Sequence, residues 1–198
     1  HPFTAYGGVP VEQQLGFLQD LGLKSYRVNI SDLRTSRALE QLLDQAKPLG
    51  IDILPVLTPS LDLDTLSAEE LRRRAHDFAF ALVSRFKDRI KVWELGNELE
   101  VYAIIQPCEM QDDGKQYNCD WGPAGGNGVL DYYGPRWAKA SAVLKGLSEG
   151  AIAADRNGNS NGRTMASAAA REGSADSVAV SSAPADTPPA PPEHRALL

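Results

Sequence analysis

The sequence predicts an α/β fold in which parallel strands are joined by helical crossovers. Three observations predict it. Short runs rich in β-branched and aromatic residues are centred near residues 28, 54 and 93. Segments with apolar residues at helical spacing separate them. The connections between strands are long enough for the crossover that parallel neighbours require.

Taken in order, Val11 to Leu21 carries Leu15, Phe17, Leu18 and Leu21 as the stripe of a first helix, and Gly22 stands where a C-cap glycine belongs. Ser25 to Ile30 reads as a strand whose alternation places Arg27 and Asn29 on one face. A second helix, from about Ser36 to Leu49, is striped by Leu39, Leu42, Leu43 and Ala46 and stopped by Pro48 and Gly50. Ile51 to Leu57 reads as a buried strand, although Pro55 removes a ladder donor from it. Ser67 with Glu70 three residues on is a capping box, and Leu71, Ala75, Phe78, Leu82 and Phe86 continue a helical stripe. Ile90 to Gly96 reads as a third strand. From Glu100 to Leu130 runs a long loop rich in Gly, Asp, Asn and Pro, of a length that in compact domains is usually functional. A fourth helix starts near Pro135, with Trp137, Ala140, Leu144 and Leu147 as its stripe, and ends towards Asp155. A further strand is due at Arg163-Thr164-Met165, but Ala166 to Arg171 has low β-propensity.

Beyond that point the composition changes. Ala, Ser, Arg and Gly dominate, then proline from Pro184 to Pro192, and residues 166–198 are expected to form a disordered tail after a folded unit of residues 1–165. A linker, or a shifted reading frame in a GC-rich gene, would give the same composition.

Charge and hydropathy exclude several classes. A net charge of −6 and a pI near 5.1 argue against a nucleic-acid partner, which needs clustered Lys and Arg. The run Arg72-Arg73-Arg74 lies on a predicted helix and reads as a solvated face. No stretch approaches the roughly 20 apolar residues of a membrane span, and no export signal opens the chain at His1-Pro2-Phe3. No G-x-G-x-x-G or P-loop follows a strand; Gly125-Gly126-Asn127-Gly128 reads as a flexible turn. Asp112, Asp113 and Asp120 lack calcium-loop spacing, and His76 and His194 lack zinc-ligand spacing, so no metal or cofactor is expected. Cys108 and Cys119 share one polar loop, either as a local disulfide of an exported protein or as two thiols.

The segment that carries chemistry is Trp93-Glu94-Leu95-Gly96-Asn97-Glu98, which sets an Asn-Glu pair at the C-terminal end of a parallel strand. It resembles the fourth strand of the retaining (β/α)8 glycoside hydrolases of clan A, the cellulase-, xylosidase- and mannanase-like enzymes. Tyr26-Arg27-Val28 resembles the second strand of that clan, and His1-Pro2-Phe3 with Asp20 to Lys24 resembles the segment after its first strand. The resemblance covers roughly residues 1–155. It implies a partial (β/α)8 barrel comprising strands two to four, with a fifth due, as the N-terminal half of such an enzyme. It makes Glu98 the general acid/base and Asn97 the partner of the sugar 2-hydroxyl. Arg27 becomes the support of the nucleophilic carboxylate. A full barrel needs about 250 residues, and the clan's nucleophile lies on a seventh strand that this chain lacks. Glu172 and Glu193, in the tail, are not assigned to that role. Many clan members have proline after the Asn-Glu pair; here Leu99 follows, and Glu100 is a rival carboxylate.

The chemistry fits these residue types. A glycosidic oxygen leaves poorly until protonated, so the enzyme needs one carboxylic acid as donor and a second carboxylate to trap the oxocarbenium-like carbon. Glu94 shares a strand face with Glu98 and reads as a partner for Arg27 or a hydrogen-bonder on that face. Trp121, Tyr117 and Tyr102 lie in or beside the long loop, where aromatic faces stack on sugars or pack the loop; Trp137 and Tyr133 read as helix-packing residues. The expected function is thus O-glycosyl hydrolysis of the retaining type on an oligo- or polysaccharide, in an extracellular or periplasmic location. The alternatives are a non-catalytic carbohydrate-binding or structural remnant, and a barrel enzyme of other chemistry, for which no strand-end lysine or phosphate-binding glycines are evident. Open sheet edges predict self-association.

Overall fold

The structure, a computed structural model, describes residues 8–160, with side chains through residue 156. Its principal elements are α1 (Val11–Asp20), β1 (Ser25–Ile30), α2 (Ser36–Ala46), β2 (Asp52–Leu57), α3 (Ala68–Phe86), β3 (Glu94–Leu95) and α4 (Gly134–Ser160). The three strands form one parallel sheet in the order β1-β2-β3. Alternation along the strands sorts its two faces. Val28, Ile30, Ile53 and Leu57 join the apolar residues of all four helices in one core, whereas Arg27 and Asn29 stand exposed on the other face.

Among the described residues this is an open three-stranded sheet, which corrects the expectation of a partial (β/α)8 barrel. Alternating strands and helices specify parallel crossovers but not closure. Closure depends on later strands pairing back to the first, and no strand here pairs with β1 except β2. The fifth strand due at Arg163 to Met165 and the tail expected to be disordered both lie outside the described residues.

Pro55 sits in the central strand at no cost to the β1 ladder. The Asp52 and Thr58 amides donate to the Lys24 and Ile30 carbonyls, so even-numbered amides of β2 face β1 and position 55 faces β3. On that side pairing begins only at Val56 with Glu94. A proline there also explains why β3 is two residues long rather than the seven-residue strand expected from Ile90 to Gly96, since the chain has no donor to meet before Glu94.

The helices show how local sequence sets each end. Schellman hydrogen bonds from Leu23 to Leu18 and from Gly22 to Gln19 close α1. Ser67 caps α3 by accepting from the Glu70 amide at 3.2 Å, but the Glu70 carboxylate turns to Arg73 and Arg74 instead of completing a capping box. The basic run of α3 is an outer ion-pair surface, in which Arg72 binds Glu149 of α4.

On α4 the buried stripe is Ala140, Val143, Leu147 and Ala154. Ala140 and Leu147 are buried as expected, but the other two expected positions, Trp137 and Leu144, are about half exposed, at 47% and 46%. The cause is Gly146 and Gly150, which let α4 approach the α3 backbone so closely that a Cβ at Gly146 would lie 2.1 Å from the Arg72 carbonyl oxygen.

Candidate functional site

The site is built from the middle of β1, the start of β3 and the turn that follows β3. Arg27, on β1, and Glu94, on β3, point to the same face of the sheet, and the register puts Leu54 and Val56 of β2 between them. Only a side chain as long as arginine spans the intervening strand. Its guanidinium donates from Nε to Glu94 Oε2 at 2.8 Å and from Nη2 to Glu94 Oε1 at 2.6 Å. The same Nη2 donates to Asn97 Oδ1 at 2.7 Å. This planar fork is the geometry that distinguishes arginine from lysine at a carboxylate.

Electrostatics follow the contacts. The hydrogen bond from Arg27 holds the Glu94 carboxyl below its usual range, with the guanidinium charge adding to the effect. Conversely, the hydrogen bond to Glu94 raises the pKa of Arg27, and the negative charges of Glu94 and Glu98 raise it further. Glu98 thus acts on the same cation as Glu94, as the smallest of these contributions. Both members of the ion pair are open to solvent, with side-chain exposures of 44% and 38%, so the pair orients the site and adds little to stability.

Beyond β3 the chain turns through two left-handed residues. Gly96 has φ +80°, and a Cβ there would fall 2.5 Å from Leu99 Cδ1. Glu98 follows with φ 48° and ψ 39°, a conformation uncommon for a residue with a β-carbon. Backbone held in a sparsely populated region by its surroundings is a recurrent mark of functional positions. Asn97, between them, has its amide orientation fixed: its oxygen is taken by Arg27, which leaves Nδ2 to donate outward.

The other sequence candidates separate from this cluster. Glu100 lies exposed in a 3-10 turn, Leu99–Ala103. Trp121 is 61% exposed and meets Tyr117 edge to face, with ring centroids 5.7 Å apart; no contact ties either ring to Arg27, Glu94 or Asn97. The single Tyr102 hydroxyl proton is shared between the Leu63 carbonyl and Asp64 Oδ1, which ties the segment between β2 and α3 to the long loop. That loop is closed by a Cys108–Cys119 disulfide with Cα atoms 4.4 Å apart, and by an antiparallel bridge between Ile104 and Tyr132. His76 stacks on Phe80 and contacts Asp77. Among the described residues no three His, Cys, Asp or Glu side chains converge as a ligand set for a metal ion, and no helix is long and apolar enough to cross a membrane.

Sequence reasoning missed one feature. Trp137, assigned to helix packing, faces outward and lines a cavity with residues of the long loop. Its signal was present in Gly146 and Gly150, which rotate the buried stripe of α4 away from it. Comparison with known protein families finds no match, and comparison with curated proteins finds none either.

Proposed function

We propose that the face of the sheet carrying Arg27 and Glu94 is the acid/base side of an O-glycosyl hydrolase site of the retaining type, with Glu98 as proton donor to the glycosidic oxygen. The observation that carries this reading is the Arg27 guanidinium bonded at once to Glu94 and to Asn97, the residue that precedes Glu98. Glu98 supplies a carboxyl group in solvent contact. Asn97 presents a donor amide to a sugar hydroxyl. Arg27 fixes the amide and keeps Glu94 ionised.

Within this cluster Glu94 is bound on both oxygens by Arg27, so it is a poor trap for an oxocarbenium-like carbon. The second carboxylate of a double displacement, about 5 to 5.5 Å from the first, is not part of the cluster. The substrate is an oligo- or polysaccharide, as the resemblance implies. The Cys108–Cys119 disulfide supports an oxidising compartment, extracellular or periplasmic.

The experiment is a comparison of Glu98→Gln with the parent on aryl glycosides of graded leaving-group quality. Loss of a positioned general acid lowers rates by ~10² to 10⁴, and the loss grows as the leaving group worsens. Equal rates in both proteins, on every substrate, would leave at most a binding role.

A further inference from the structure

We propose that the cavity between the long loop and the start of α4 binds a neutral pyranose ring, stacked on Trp137 and hydrogen-bonded by Asn127 and Asp112. This site is separate from Glu98 and does not depend on its chemistry. The cavity has a volume of about 530 Å³ and is lined by Asp112, Gly126–Gly128, Tyr132 and Trp137 among others. That size falls within the ~300 to 1,000 Å³ of small-molecule sites.

Its walls are held in place by bonds that need no ligand. The Tyr132 hydroxyl donates to the Gly126 carbonyl at 2.8 Å. Asp131 Oδ2 accepts from the Asn127 and Gly128 amides at 2.7 and 3.0 Å. Tyr132 and Trp137 pack with ring centroids 5.0 Å apart, which sets the indole in a fixed pose while leaving it 47% exposed. Asp112 Oδ2 accepts from the Gly134 amide at 2.8 Å. Its Oδ1 and the side-chain amide of Asn127 make no hydrogen bond among the described residues.

The chemistry of these groups selects the ligand. A pyranose has an apolar C–H face, which stacks on an indole, and a rim of hydroxyls that both donate and accept. Asp112 Oδ1 accepts from such a hydroxyl, and the Asn127 amide does either. No Lys or Arg lines the cavity, and Asp112 adds negative charge, so phosphorylated and acidic ligands are disfavoured. One carboxylate is too few to hold a cation.

The test follows the Trp137 indole N–H resonance in the full chain during titration with methyl β-D-glucopyranoside, methyl β-D-xylopyranoside and cellobiose. Cyclohexanol serves as a control with a similar apolar ring and a single hydroxyl. At least one glycoside is expected to shift Trp137 saturably while Trp93 and Trp121 stay unmoved. Affinity should fall about tenfold in Trp137→Ala and by a similar factor in Asn127→Ala. Glu98→Gln should bind as the parent does, which separates this site from the proposed catalytic one. An indole unmoved by all three sugars would overturn the proposal, and so would an equal response to cyclohexanol.

Discussion

Substituting Gly146 by alanine should destabilise the protein even though alanine is the better helix former. Propensity alone favours Ala over Gly in a helix interior by about 1 kcal/mol. At Gly146, however, the new Cβ would stand 2.1 Å from the Arg72 carbonyl oxygen and 2.9 Å from Ala75 Cβ. The first contact is with backbone, which has no rotamer to yield. Relief therefore requires α3 and α4 to separate by roughly 1 Å, which opens the packing of Leu147 and Val143. Overpacking of this kind costs about 1 to 3 kcal/mol, and a clash with backbone lies at the upper end. The net prediction is a loss of about 2 kcal/mol, or about 6 °C in Tm for a protein of this size. A Cβ added at Gly150 would likewise lie 2.2 Å from the His76 carbonyl oxygen. One separation of the helices relieves both clashes, so the double substitution should cost less than the sum of the singles. Gly16 on α1 is the control, since a Cβ there meets nothing within 4 Å; Gly16→Ala should stabilise by about 1 kcal/mol. Urea and thermal unfolding followed by circular dichroism read the parent and all four variants. A Gly146→Ala variant that moves in the same direction as Gly16→Ala would refute the helix seating argued above.

Three further predictions concern charge, covalent closure and the sheet edges. Hydrogen bonds from Arg73 and then Arg74 lower the Glu70 pKa from 4.5 to about 2. Its contribution is therefore fully present above pH 4.5 and lost as the pH falls through about 2. The urea midpoints of the parent and Glu70→Gln should converge over that window, and a difference independent of pH would count against these ion pairs. Replacing both Cys108 and Cys119 by serine should lower stability by up to about 3 kcal/mol, as expected for so short a loop, with an increase in hydrogen exchange concentrated in residues 104–132. Unchanged exchange there would mean that the Ile104–Tyr132 bridge alone holds the loop. Finally, β1 and β3 each have one unpaired edge among the described residues, which predicts concentration-dependent self-association in light scattering. A monodisperse monomer with a single sharp unfolding transition would contradict that.

Much of the local structure was legible because it follows from neighbours in sequence. The stripe of Leu39, Leu42, Leu43 and Ala46 is buried as its spacing dictates, and Gly22 and Ser67 cap the helices that their types announce. Strand parity brought Arg27 and Glu94 to one face, since both lie two-residue steps along strands whose other face is apolar. What failed depended on distant parts of the chain. Closure of a sheet is decided by strands that meet only in three dimensions, so an alternation of strands and helices cannot distinguish an open sheet from a barrel. The length of β3 depended on a proline nearly forty residues earlier, on the neighbouring strand. The outward pose of Trp137 depended on two glycines whose close approach to α3 no single-helix periodicity reveals. The disulfide between Cys108 and Cys119 was one of two alternatives that the sequence left open, and it is local, closed around a turn that brings Met110 and Gln116 into register.

In the proposed reaction Glu98 donates a proton to a leaving sugar oxygen. The most direct measurement is the hydrolysis rate of a poorly activated aryl glycoside by the parent and by Glu98→Gln at matched folding. A fall of ~10²-fold or more is expected in the variant. Identical rates would contradict it.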